Sequence, residues 1–249
     1  MKYFFYLLVS LLILNGCKAP QHDEITIFLA GDSTIADKPY RTGNPEKGWG
    51  QVLPLYFNTG VRIDNHAVNG RSTKSFIDEG RWELLVDQLR PGDYVFFGFG
   101  HNDAKSEDST RYAAAWGDYT NNLLRFIDEV RSRQAIPVLT TSIVRRRFDS
   151  AGKLIETHGD YPDAVRRLAK KKDVVIIDLN QSTFEMVQRF GEFRSKNLYL
   201  HIDTTEYTHL TANIVDDTHL SAYGAFKVAD LVVAGIRDNF PELAKYLKK

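Results

Sequence analysis

The sequence predicts an α/β protein, a single doubly wound, flavodoxin-like domain with a five-stranded parallel sheet and helices on both faces. Three observations carry this. Apolar, β-branched runs recur at residues 25–30, 61–65, 94–98, 137–142 and 174–178. Between them lie segments whose apolar residues repeat at helical spacing, and alternating strands and helices imply βαβ crossovers and a parallel sheet. No proline-rich or glycine-rich linker divides residues 24–249, so 25–249 reads as one domain.

Taken in order, residues 25–29 form a buried strand that turns sharply through Ala30-Gly31-Asp32-Ser33-Thr34. The second strand, 61–65, runs into "HAVNGRS". A helix over 81–89 carries Trp82, Leu85, Val86 and Leu89 on one face. The third strand, 94–98, leads into "FGHNDAK", and a longer helix over 112–133 aligns Leu123, Leu124, Ile127 and Val130. Strands at 137–142 and 174–178 flank a helix over 161–172, and a helix over 221–237 closes the domain. In open α/β sheets the functional crevice lies outside the carboxyl ends of the strands.

Composition narrows the function. Lys+Arg and Asp+Glu each total 32 in 249 residues, a formal net charge of zero, which argues against a general nucleic-acid binder. The N-terminus is a separate object. Lys2 precedes an apolar run over 3–14, too short to span a bilayer comfortably and of signal-peptide length. It ends in "LNGCKAP", and Cys17 is the only cysteine. Residues 1–17 resemble a bacterial lipoprotein signal with Cys17 as the lipid anchor, and 18–24 read as a tether. The expectation is a protein of the bacterial cell envelope, lipid-anchored or secreted, in the periplasm or at the outer membrane.

The strand ends carry the chemistry. Three consecutive strands deliver Ser33, Gly70 and Asn102 to one edge of the sheet. Ester hydrolysis needs a nucleophile and preorganised donors for the tetrahedral oxyanion. A glycine N–H approaches substrate closely because no Cβ intervenes, Asn102 offers an uncharged side-chain donor, and the Ser33 N–H is a third. A serine also needs a base. Of seven histidines, His219 stands out in "IVDDTHLSAYGA", just ahead of a helix. Asp216, three residues earlier, is spaced to reach the imidazole Nδ1–H across a tight turn, the carboxylate role in a Ser-His-Asp triad. Asp217 reads as a capping or surface carboxylate, and Asp32 as the residue that holds the serine turn. No HExxH motif or thiolate cluster suggests a metal, and no cofactor is expected.

These blocks in this order resemble the SGNH, or GDSL-like, hydrolase superfamily. "GWGQVLP", "NHAVNGRSTKSFIDEGRW", "PGDYVFFGFGHND" and "HGDYP" further resemble the rhamnogalacturonan acetylesterase family, over nearly all of 25–249. The resemblance implies a metal-free serine esterase that removes acetyl groups from galacturonic acid units of pectin. An acetylated polysaccharide or oligosaccharide would be its substrate. A lipase-like or thioesterase relative acting on another small ester, and a glycan-binding lipoprotein without catalysis, are the alternatives. Asn69 stands where many relatives carry a second glycine. Arg71, Trp49, His158, Asp160 and Tyr161 are candidate sugar contacts, because arginine pairs with carboxylates and aromatics stack on sugar faces. The polar segment 196–217 is expected to overhang the crevice.

Overall fold

In the computed structural model, which describes residues 24–40 and 43–248, β1 (Ile25–Gly31) is an interior strand whose two faces both find apolar partners. Ile27 and Leu29 enter one core and Phe28 and Ala30 the other, the period-two alternation of a strand covered on both sides. β2 (Val61–Asn65), β3 (Tyr94–Gly98), β4 (Ile136–Thr140) and β5 (Val175–Ile177) join it in parallel. Their order is β2-β1-β3-β4-β5, as the sequence predicts for a doubly wound sheet. The chain steps outward from β1 to β2, then crosses to β3 on the other side. The crevice therefore opens where the turns after β1 and β3 diverge. The apolar run at residues 3–14 and Cys17 lie outside the described residues.

Among the described residues, eight α-helices, α1 (Trp49–Val52), α2 (Thr73–Asp78), α3 (Arg81–Val86), α4 (Thr120–Ser132), α5 (Tyr161–Lys172), α6 (Leu179–Arg194), α7 (Ala222–Asn239) and α8 (Pro241–Ala244), complete the layers. Helices α2 to α5 cover one face, where Trp82 stacks on Phe126 at 3.9 Å between ring centroids. Helices α1, α6, α7 and α8 cover the other. The helix expected over 112–133 begins only at Thr120. Ahead of it residues 115–119 form a wide turn in which Gly117 leaves helical geometry. Helix α6, which the periodicity did not reveal, is broken near its end by Gly191 at φ +71°.

The segment after α6 is a two-stranded antiparallel ribbon of β6 (Tyr199–Ile202) and β7 (Ile214–Leu220). Its register slips: Tyr199 pairs with Leu220, but Leu200 pairs with Asp216, so residues 217–219 bulge out of the ladder. A bulge re-aims the side chains it carries, and here these include His219. The expected tight turn ahead of a helix is thus a bulge within a strand. The ribbon is anchored through α7. Ser221 caps that helix, its Oγ accepting from Gly224 N at 3.0 Å. A Cβ on Gly224 would fall 1.8 Å from the Leu198 carbonyl oxygen. Gly224→Ala is therefore expected to destabilise the fold at or above the top of the range of about 1–3 kcal/mol for overpacked interiors. Denaturant unfolding checks this.

Candidate active site

The turn after β1 is built for close approach. Gly31 lies in register with Gly98 of β3, and a Cβ on Gly31 would sit 2.6 Å from the Gly98 carbonyl. The small residues at this strand end let the turn settle against β3. Asp32 then pins it: its Oδ1 accepts from the N–H and the hydroxyl of Thr34, both at 2.9 Å. Burial raises the Asp32 pKa, opposed by the two Thr34 hydrogen bonds and the charges of His219 and Lys38. Ser33 is left at the carboxyl edge of the sheet, 7% exposed.

The bulge in β7 brings His219 to it. The Ser33 hydroxyl meets His219 Nε2 at 2.9 Å, and His219 Nδ1–H donates to Asp216 Oδ2 at 2.7 Å. Asp216 Oδ1 accepts from the backbone N–H groups of Thr218 and His219 at 2.7 and 2.9 Å, which fixes the carboxylate. Burial alone would raise the Asp216 pKa. The His219 side chain and these two backbone donors outweigh it and hold the group well below the usual carboxylate range. The hydrogen bond to Asp216 in turn raises the His219 pKa against burial, helped by the charges of Asp216 and Glu46 and opposed by Lys38. Asp217 faces elsewhere, accepting from Arg146 Nη1 at 3.0 Å and His201 Nε2 at 2.7 Å.

The donor side of the site comes from the turns after β2 and β3. Val68 N–H donates to the Gly31 carbonyl at 3.0 Å, drawing the Asn69-Gly70 turn up against the serine turn. Gly70 adopts φ +77°, a left-handed conformation that glycine accepts without steric cost. Asn102 is 4% exposed, and one of its two amide hydrogens goes to the Arg71 carbonyl at 3.1 Å, leaving the other available. Beneath Asn69 lies a feature the sequence did not disclose. Buried Lys38 donates to Asn69 Oδ1 and pairs with Glu46 at 2.6 Å. The side chain at position 69 thus ties the turn to the Lys38–Glu46 ion pair. A lysine in a loop reads as solvated from sequence, and only the fold encloses it.

The proposed sugar contacts divide. Trp49 is 1% exposed and belongs to the core beside α7. His158 is 2% exposed and linked to Glu156 through Nδ1 at 2.7 Å and to His101 through Nε2 at 3.1 Å. The Tyr161 hydroxyl lies 2.9 Å from the carbonyls of both Asp103 and Ala113, which share its one proton. These three are structural, because their recognition surfaces are already used by protein atoms. Asp160 is exposed and accepts from Trp116 Nε1 at 2.8 Å. Arg71 stays at the site, donating to Glu79 and to the Asn69 carbonyl. Arg111, unremarked in the sequence, reaches Asn102 Oδ1 at 3.4 Å. Segment 196–217 supplies β6 and the start of β7, Asp216 included, and its Leu200, His209, Leu210 and Ile214 share a cleft with Asn44, Pro45 and Glu46. Among the described residues, no group of three or more His, Cys, Asp or Glu side chains is placed to hold a metal ion.

A hydroxyl, an imidazole and a carboxylate joined in line, with backbone and amide donors alongside on a doubly wound sheet, define the class as a carboxylic ester hydrolase. The chain belongs to the GDSL-like lipase/acylhydrolase family, whose model matches residues 29–225. It is 41% identical over 214 residues to rhamnogalacturonan acetylesterase RhgT of Bacillus subtilis, covering 86% of this chain and 90% of that one. A probable rhamnogalacturonan acetylesterase of the same organism, YesY, is 32% identical over 85% of this chain and 92% of its own length. Among solved structures, the B. subtilis protein YxiM superposes with a TM-score of 0.75 at 25% identity, over 88% of this chain and 58% of that one. The acetylxylan esterase Axe2 of Geobacillus stearothermophilus shares the fold, with a TM-score of 0.58 at 17% identity over 85% of this chain and 94% of that one.

Proposed function

We propose that the protein is a carbohydrate acetylesterase in which Ser33, His219 and Asp216 form the catalytic triad, and that acetylated rhamnogalacturonan is its substrate. The observation that carries the triad is the in-line pair of contacts at 2.9 and 2.7 Å on His219. Ser33 Oγ attacks the acetyl carbonyl as its proton passes to His219 Nε2. The imidazolium is stabilised by Asp216. The oxyanion is received by the N–H groups of Ser33 and Gly70 and by the free amide hydrogen of Asn102. His219 then protonates the departing sugar oxygen, and water, activated by the same imidazole, releases acetate and restores Ser33. Asn102→Ala is expected to lower kcat about 10²–10³-fold, the usual loss for one oxyanion donor, with little change in KM for an aryl acetate.

The substrate reading is supported by the names of the relatives, RhgT above all, and by the polar, charged cleft beside Gly70. A long acyl chain gains affinity only by burying methylenes, at about 0.8 kcal/mol each, and the charged side chains of Arg71, Lys74, Asp78, Glu79 and Arg111 around this cleft suit a charged sugar better than such a chain. Activity on aryl esters is expected to fall steeply from acetate to butyrate and to be negligible at octanoate. Acetate release from acetylated rhamnogalacturonan should exceed that from acetylated xylan. Faster turnover of octanoate than acetate, or preference for xylan, would overturn this assignment.

A further inference from the structure

A cleft of about 600 Å³ opens directly beside Gly70, lined also by Arg71, Lys74, Asp78, Glu79 and Arg111. Its volume far exceeds what an acetyl group needs, and its charges are unequally paired. Glu79 alone serves two guanidiniums, those of Arg71 and Arg81. Arg111 is matched by Asp108, whose pKa is held down to about 2, chiefly by hydrogen bonds from Thr110 and Arg111. The hydrogen-bond partner of Lys74 Nζ is a neutral group, the Ser109 carbonyl at 2.7 Å. Counting the groups behind the wall, four cations face three carboxylates, a local positive excess in a chain of zero net charge. Arg71 and Arg111 are about one-third exposed, at 31% and 30%, so solvent screens them less than free surface charges.

Resting on the acetylesterase reading above, we propose that this cleft is a subsite for a uronic-acid carboxylate of the glycan, with Lys74 as its unpaired charge and Arg111 as its link to the reaction centre. Arg111 Nη1 lies 3.8 Å from where a Cβ on Gly70 would stand and 3.4 Å from Asn102 Oδ1. An anion drawn to Lys74 and Arg111 is therefore held next to both groups that receive the oxyanion. A planar carboxylate matches the fork of a guanidinium, with the ammonium as a point charge beside it. Binding energy from a part of the substrate remote from the ester would in this way orient the acetyl-bearing ring over Ser33.

The test compares acetylated rhamnogalacturonan oligosaccharides with the same oligosaccharides after chemical reduction of their carboxyl groups to primary alcohols. The wild-type enzyme should favour the acidic form in kcat/KM. Lys74→Gln should lower kcat/KM on the acidic form about tenfold more than on the reduced form, mainly through KM, as expected for losing one charge-assisted hydrogen bond. Lys74→Arg should restore most of that loss, and thermal unfolding should show all variants folded. Equal wild-type rates on the two forms, or equal losses in Lys74→Gln, would overturn the subsite while leaving the acetylesterase assignment intact. Release from neither form, with aryl acetate still hydrolysed, would overturn substrate and subsite together.

Discussion

Ser33→Ala and His219→Ala should each reduce kcat by about 10⁴–10⁶-fold while leaving the fold intact. The magnitude follows from how a triad works: its members act as a unit, and losing either nucleophile or base removes covalent catalysis almost entirely. What remains comes from the oxyanion donors and substrate positioning. Because the members act together, the double variant should be scarcely slower than either single one. The folds should persist because neither side chain carries core packing: His219 is one-third exposed on a strand bulge, and Ser33 sits at the edge of the sheet. Steady-state kinetics on an aryl acetate, with circular dichroism as the folding control, checks both statements. Additive losses in the double variant would mean that the 2.9 Å contact is not part of the reaction.

Asp216→Asn should lower kcat by about 10⁴-fold, since an amide in place of the carboxylate favours the wrong imidazole tautomer and leaves the imidazolium without a counter-charge. It should also move the acid limb of the pH profile. The base acts when neutral, so the rate rises as pH passes upward through the His219 pKa. Asp216 raises that pKa above its ordinary value of 6.5, through its hydrogen bond first and its charge second. With the carboxylate gone, burial and Lys38 pull in the opposite direction. The acid limb of the variant should therefore lie at lower pH than that of the wild type. A limb that stays in place would assign the pairing to another carboxylate, and Glu46, whose charge also acts on His219, would be the first to replace.

The features legible in the sequence are those that depend on local pattern. Five apolar runs separated by helical periodicity gave the sheet, and small polar residues at three strand ends gave Ser33, Gly70 and Asn102. The Asp216–His219 spacing was also readable, although the bulge that uses it was not, because register slips leave no mark in a single strand's composition. Enclosure was the feature that escaped. Trp49, His158 and Tyr161 have residue types suited to sugar binding, yet packing against α7, Glu156 and the Asp103 carbonyl consumes them. Lys38 and Arg111 escaped for the converse reason. Charged residues in loops read as solvated, and only the folding of those loops brings Lys38 against Asn69 and Glu46, and Arg111 against Asn102. Helix α6 was obscured by its polar face and by the Gly191 break.

The identity of Ser33 as the nucleophile is tested most directly by covalent labelling. The wild-type enzyme would be inactivated with diethyl p-nitrophenyl phosphate and mapped by peptide mass spectrometry. A single diethylphosphoryl adduct on Ser33 should appear in step with the loss of esterase activity, and His219→Ala should remain unlabelled over the same time. An adduct on another residue that tracks inactivation, or complete labelling of Ser33 with activity retained, would contradict the assignment.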